Sequence, residues 1–201
     1  MVQSLNYLRE SPSQTAGPSV HIGLAPGAAG LHTFAQQLGQ VIVADGVPGE
    51  RIRVEGVVFD GTGAPGIYPH PEDPLHGHTV PGFRGWGRVI SDFDSGLWGF
   101  DTIKPGSVAG RASPVQAPHI SFWLVSRGIN IGLNTRMYFA DEGAANAVDP
   151  VIGSIEQRHR TAPHRTAPHR TATLIATKTA PGLHRFDIHL QGPLESVLID
   201  I

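Results

Sequence analysis

The sequence predicts an all-β chain, an antiparallel β-sandwich with long loops and an extended N-terminal arm. Three observations carry that prediction. Several short runs alternate apolar and polar residues with period two, the pattern of a strand with one buried face. Glycine (25) and proline (17) are both abundant, which disfavours long helices. Turn-forming residues separate the runs at short intervals. Apolar residues make up 40% of the 201, enough for a sizeable core, and a β-rich chain of this length reads as a single domain, residues 1–201.

The elements follow in order. Residues 1–26 contain SPSQTAGPS and APG, too many breakers for a helix, and read as an extended arm. GAAGLHTFAQQLG (27–39) predicts one short helix. RIRVEGVV (51–58) sets Ile52, Val54 and Val58 on one face and Arg51, Arg53 and Glu55 on the other, a half-buried strand. Asp60-Gly61-Thr62-Gly63 is a turn, and prolines at 65, 69, 71, 74 and 81 make 64–83 a loop. WGRVISDF, the turn Asp94-Ser95-Gly96 and LWGFDTI predict a hairpin. HISFWLVS (119–126) is apolar on nearly both faces, the mark of a central strand between two layers.

From Ile129 to Phe139 the alternation is clean. Ile129, Ile131, Leu133, Met137 and Phe139 face one way; Asn130, Asn134, Arg136 and Tyr138 face the other. LHRFDIHL (183–190) and ESVLIDI (195–201) predict two closing strands. Residues 159–171 read HRTAPHRTAPHRT, a five-residue unit whose prolines deny it helix and inner strand. With no large apolar residue it cannot bury a face, so 158–172 is predicted as a surface repeat loop. Binding of a polyanion or a metal is its sharper reading.

Several function classes are disfavoured at once. A net charge of −2 argues against a protein that coats nucleic acid or an acidic membrane. The absence of cysteine removes disulfides, thiolate metal sites and cysteine nucleophiles, and suits a reducing compartment. No stretch approaches the roughly 20 apolar residues of a membrane helix. MVQSLNYLRE lacks the apolar block of a secretion signal, so a cytoplasmic location is expected.

Candidate chemistry begins with the eleven histidines. His70, His76 and His78 lie in the proline-rich loop with Glu72 and Asp73 between them. They read either as exposed loop histidines or as zinc or iron ligands. His119 begins a strand, and a buried histidine there usually donates a ring N–H to a carbonyl or carboxylate. Two residues on, at a position sharing its face, stands Ser121 rather than a second histidine. GFRGWGR (82–88) is glycine-rich but lacks the strand-turn-helix context of a dinucleotide site, and no nucleophile elbow or phosphate-binding loop is present. Arg127 ends the predicted central strand just before Gly128, so its guanidinium should reach a rim. A planar charged fork there suits a ligand carboxylate or a neighbouring Asp or Glu.

Five segments together carry a resemblance: SPSQTAGPSVHIGLA (11–25), GERIRVEGVVFDGTGAP (49–65), GRVISDFDSGLWGFDTIKPG (87–106), APHISFWLVSRGINIGLNTRMYF (117–139) and RFDIHLQG (185–192). In this order they resemble the alpha subunits of protocatechuate 3,4-dioxygenases, in the intradiol ring-cleavage dioxygenase family. The resemblance implies a β-sandwich paired with a homologous beta subunit in an α/β hetero-oligomer. It implies O2-dependent cleavage of protocatechuate to 3-carboxy-cis,cis-muconate at an Fe(III) ion held by two tyrosines and two histidines of the beta subunit. Catalytic chains of the family carry His-x-His where this chain has His119-Ile120-Ser121, and tyrosines where it has Val108 and, nearby, Leu75. The resemblance therefore implies no metal ligand and no catalytic residue in this chain. It implies instead that Thr15, Ala16, Gly17 and Pro18 of the arm, with Arg127, line the substrate pocket beside the partner's iron.

Three departures from the family stand out. Ser19 replaces a tyrosine of the arm. A strand and turn of the family that should fall between Pro65 and Gly66 is missing, so either another segment fills the gap or unpaired sheet edges leave the subunit poorly stable on its own. The HRTAP repeats look like an insertion before TLIA (173–176). Two other functions remain open at this stage: an independent metal enzyme using His70, His76, His78 or His119, and a solitary sandwich that binds a partner without chemistry.

Overall fold

The computed structural model describes residues 17, 19–32, 39, 41–59, 81–110, 113–129, 132–159, 171–192 and 194–199. Nine strands dominate: β1 (Arg51–Phe59), β2 (Leu97–Ile103), β3 (Val108–Gly110), β4 (Ser113–Gln116), β5 (His119–Leu124), β6 (Leu133–Phe139), β7 (Ile175–Ala180), β8 (Leu183–Arg185) and β9 (Ile188–His189). Three short helices, α1 (Val20–Leu24), α2 (Gly143–Asn146) and α3 (Pro150–His159), and a 3-10 turn (Ala140–Glu142) complete the described elements. The main sheet has seven strands in the order β2-β1-β8-β7-β6-β5, with β9 also paired to β1; β3 and β4 form a separate ribbon.

The expected antiparallel sandwich is corrected to a mixed sheet. β1 runs parallel to β8 and β9, and β6 parallel to β7, while the β1–β2, β5–β6 and β7–β8 pairs are antiparallel. Parallel neighbours need a long crossover rather than a hairpin. That crossover exists between β6 and β7, where α2 and α3 intervene. A core packed from two sides survives in another form. Trp98 on edge strand β2 meets Phe122 on the opposite edge strand β5 edge-to-face, with ring centroids 5.4 Å apart, so the sheet curls until its ends face one another.

The enclosed core holds Ile52, Val54, Val58, Trp98, Phe122, Leu124, Met137, Phe139, Ala176, Phe186 and Ile188. Burying each large aliphatic side chain stabilises the fold by about 1.5–3 kcal/mol, opposed by chain ordering. β1 obeys its predicted alternation, with Ile52, Val54 and Val58 buried. Position 56 shares their face and is glycine because a Cβ there would lie 1.8 Å from the Phe186 carbonyl oxygen. The predicted strand 183–190 breaks at this approach. Asp187 Oδ1 accepts the Val57 N–H at 2.8 Å, a carboxylate taking the place of a ladder carbonyl, while Phe186 turns into the core.

Other predicted elements are replaced for identifiable reasons. Val20–Leu24 is helical, so the end of the arm is not extended, and 26–30 forms turns where a helix over 27–39 was predicted. Residues 86–91 form no ladder with β2. This stretch and the residues before it bond to an earlier segment instead: Arg88 N–H donates to Gly39 O at 2.8 Å and Arg84 N–H to Ile42 O at 3.0 Å. Residues 195–199 form no strand; single bonds hold them, Ile199 N–H to Asn134 O at 2.8 Å and Thr135 Oγ1–H to Val197 O at 2.7 Å. β5 is an edge among the described residues rather than a central strand, with Ser121 exposed.

Tyr138, predicted on a polar face, is fully buried in a second cluster with Ala117, Ile152, Ile155, Leu174 and Val197. That cluster exists because α3 covers the outer face of β6. Its helix starts at a buried carboxylate: Asp149 Oδ1 accepts the N–H groups of Val151 and Ile152, both at 2.9 Å, ahead of Pro150 at the first helical position. α3 runs to His159, so the repeat loop does not begin at 158; residues 160–170 lie outside the described residues.

Candidate functional site

The predicted substrate-pocket residues divide between described and undescribed positions. Thr15, Ala16 and Pro18 lie outside the described residues, as do Leu75, His70, His76, His78 and the junction of Pro65 with Gly66. Gly17 is exposed just before α1, where its carbonyl accepts the Val20 N–H at 3.1 Å; among the described residues no heavy atom lies within 4 Å of a Cβ built there. Arg127 occupies the turn after β5. Gly128 follows with φ +88, a left-handed conformation that glycine adopts without strain, and Ile129 N–H closes the turn on Ser126 O at 3.1 Å. The turn leaves Arg127 exposed, and no described carboxylate pairs with it. No hydrogen bond joins Gly17 to Arg127 among the described residues.

The face that starts at His119 does not fit a ferric ion. His119 is half-buried, its Nδ1 lies 2.7 Å from Ala117 O, and its ring leans on Tyr138 with centroids 5.7 Å apart. Ser121 sits in register opposite Arg136, so a permanent positive charge stands across from the second ligand position. Val108 offers no donor atom. A trivalent cation needs anionic ligands, and this face supplies a guanidinium. Among the described residues, no three His, Cys, Asp or Glu side chains gather into a possible metal site.

The charged residues that do gather lie just beyond the C-terminal end of β6. Lys104 Nζ bonds Glu142 at 2.6 Å and Asp141 at 3.2 Å, and Lys178 Nζ bonds Asp141 at 2.8 Å. The Lys178 bond, reinforced by Lys104, holds the Asp141 carboxyl down at about 2. Burial alone would lower Lys104, but its bonds to Glu142 and Asp141 prevail and raise it. Tyr138 is pushed up to about 12, chiefly by burial, so it stays a neutral hydrogen-bond donor to Asp149. Sequence reasoning passed over Asp149 and His184. The pair Asp149-Pro150 ahead of an apolar run was the available signal for the first; the second had none.

No protein-family model matches the chain. Two sequence relatives match it throughout. A protocatechuate 3,4-dioxygenase alpha chain of Pseudomonas putida is 41% identical over 216 residues, covering 98% of this chain and 98% of that protein. The corresponding alpha chain of Burkholderia cepacia is 33% identical, covering 98% of this chain and 100% of that protein. The 216-residue span exceeds this chain's 201 residues, so the Pseudomonas protein carries positions that this chain lacks. Among solved structures, catechol 1,2-dioxygenase from Pseudomonas arvilla C-1 gives a TM-score of 0.46 at 17% identity, over 78% of this chain and 58% of that one.

Proposed function

The chain belongs to the protocatechuate 3,4-dioxygenase alpha-chain family, and from that premise we propose that it is the non-catalytic subunit of an intradiol ring-cleaving oxidoreductase. Its partner is a homologous beta subunit. The assembled enzyme adds both atoms of O2 across protocatechuate, between the two hydroxyl-bearing carbons, to give 3-carboxy-cis,cis-muconate. The Fe(III) belongs to the beta subunit, where it activates the bound catecholate. The observation that supports this reading best is 41% identity running through 98% of both chains.

This chain's own contribution is to bind and orient. The arm, Thr15, Ala16, Gly17 and Pro18, lines one side of the pocket: Gly17 permits close approach of backbone and Pro18 stiffens it. Arg127, exposed and without a described carboxylate partner, meets the substrate carboxylate. Holding substrate in register with a metal lowers the barrier without chemistry by this chain. The whole of 1–201 acts as one domain. Among the described residues no helix is long and apolar enough to cross a membrane, and we place the enzyme in the cytoplasm.

Co-expression tests the reading. With a catalytic beta subunit of the family, the chain should co-purify and the complex should open protocatechuate. A chain that never co-purifies is a solitary sandwich and not a subunit. A second outcome concerns the HRTAP insertion. Deleting residues 159–168 should leave the yield of complex unchanged within about twofold, since exposed loops tolerate length changes. A subunit that no longer assembles would show that the repeat is part of the interface.

A further inference from the structure

We propose that His184 is an acid-operated release in the sheet: neutral, it seals the core between β1 and β7; protonated, it is driven out and the β7–β8 hairpin loosens. His184 is 0% exposed, and neither ring nitrogen has a hydrogen-bond partner among the described residues. It lies mid-strand in β8, in register with Val54 of β1 and Lys178 of β7. Its ring stands edge-on to Phe139, with centroids 5.0 Å apart and planes at 88°. The imidazole therefore serves as an aromatic filler with two desolvated polar atoms that nothing repays. A purely structural filler would not carry them.

The charges around the ring make protonation hard to accommodate. Glu50 approaches from the lead into β1, Lys104 from beyond β2, Asp141 from the 3-10 turn and Lys178 from β7. Glu142 is engaged by Lys104, and Asp141 already serves both lysines. No described carboxylate hydrogen-bonds the ring, and Glu50, which no lysine engages among the described ion pairs, exerts the weakest pull of the four charges. Burial, joined by Lys178 and Lys104, holds His184 below the usual histidine range against the pull of Asp141 and Glu50. Unfolding frees the ring to protonate at its ordinary value of about 6.5. Stability from this group is therefore complete above that pH and falls as pH drops below it, until the lower folded value is reached. Asp141 does not respond in that window, because it stays ionised down to about 2.

Urea unfolding of the full-length chain between about pH 7.5 and about pH 5.5 tests the release, comparing wild type with His184→Gln and His184→Phe. Below about 6.5, the folded-to-unfolded ratio of wild type should fall by up to about tenfold per pH unit more than that of either variant. Equal acid sensitivity in wild type and a folded variant overturns the proposal. If neither variant folds, nitrogen-15 histidine spectra of the wild type decide. One imidazole should remain neutral through the range in which exposed histidines titrate, and every ring titrating near about 6.5 overturns it.

Discussion

Replacing Asp149 with alanine is expected to destabilise the chain by about 3–5 kcal/mol, the usual cost of leaving several buried groups unpaired. The carboxylate is 2% exposed and stands between two elements. Oδ1 accepts the Tyr138 hydroxyl at 3.2 Å and the Val151 and Ile152 N–H groups; Oδ2 accepts the Ala117 N–H at 2.8 Å. Truncation strands the Ala117 N–H inside protein, takes one partner from the Tyr138 hydroxyl and removes the cap of α3, which alone accounts for about 0.5–2 kcal/mol. Chemical unfolding of the two proteins checks this. Asp149→Asn keeps one acceptor oxygen and should lose less. A loss below about 1 kcal/mol for alanine would mean that α3 and β6 are not coupled through this residue.

Arg127→Ala should lower kcat/KM for protocatechuate in the complex by about 10–100-fold, the worth of a charge-assisted hydrogen bond to a carboxylate. Plain catechol lacks that carboxylate and should change by less than about twofold. Because Arg127 is exposed in a turn and pairs with no described carboxylate, its removal should leave folding and assembly unaffected. Arg127→Lys should fall between the two, retaining the charge and losing the planar fork. Equal losses on both substrates would take the carboxylate role away from this residue.

Much of the local structure was legible, and the reasons differ by residue. Ile52, Val54 and Val58 announce β1 because period two and β-branching converge there. Direction is another matter. Alternation marks a buried face but not whether the neighbour runs parallel, and β1 meets β8 across more than a hundred residues of sequence. β5 looked central because Ile120, Phe122, Trp123 and Leu124 are apolar, yet curling of the sheet buries Phe122 and Leu124 at an edge. α3 was hidden by the expectation of an all-β chain, although Asp149-Pro150 signals a helix start and Ile152 and Ile155 share a face.

At the candidate site the same division holds. Val108 is readable as a non-ligand from identity alone, since its side chain has no donor atom; that Ser121 stands in a ligand's place is implied only by the family resemblance. The positive charge that Arg136 sets opposite Ser121 is visible only once β5 and β6 are in register. Arg127 reads from the sequence as a strand-end residue before a glycine, whereas β5 ends at Leu124 and the exposed Arg127 lies in the turn that follows. His184 gave no signal, because a histidine in an alternating strand looks like any polar position until both its neighbours and its lack of partners are known.

Iron content, measured on this chain purified without any beta subunit, bears most directly on the division of labour. The account predicts no tightly held iron and no visible tyrosinate-to-iron absorption in the lone chain, with both appearing once the beta subunit is present. Stoichiometric iron, or ring opening, in the chain alone would contradict it.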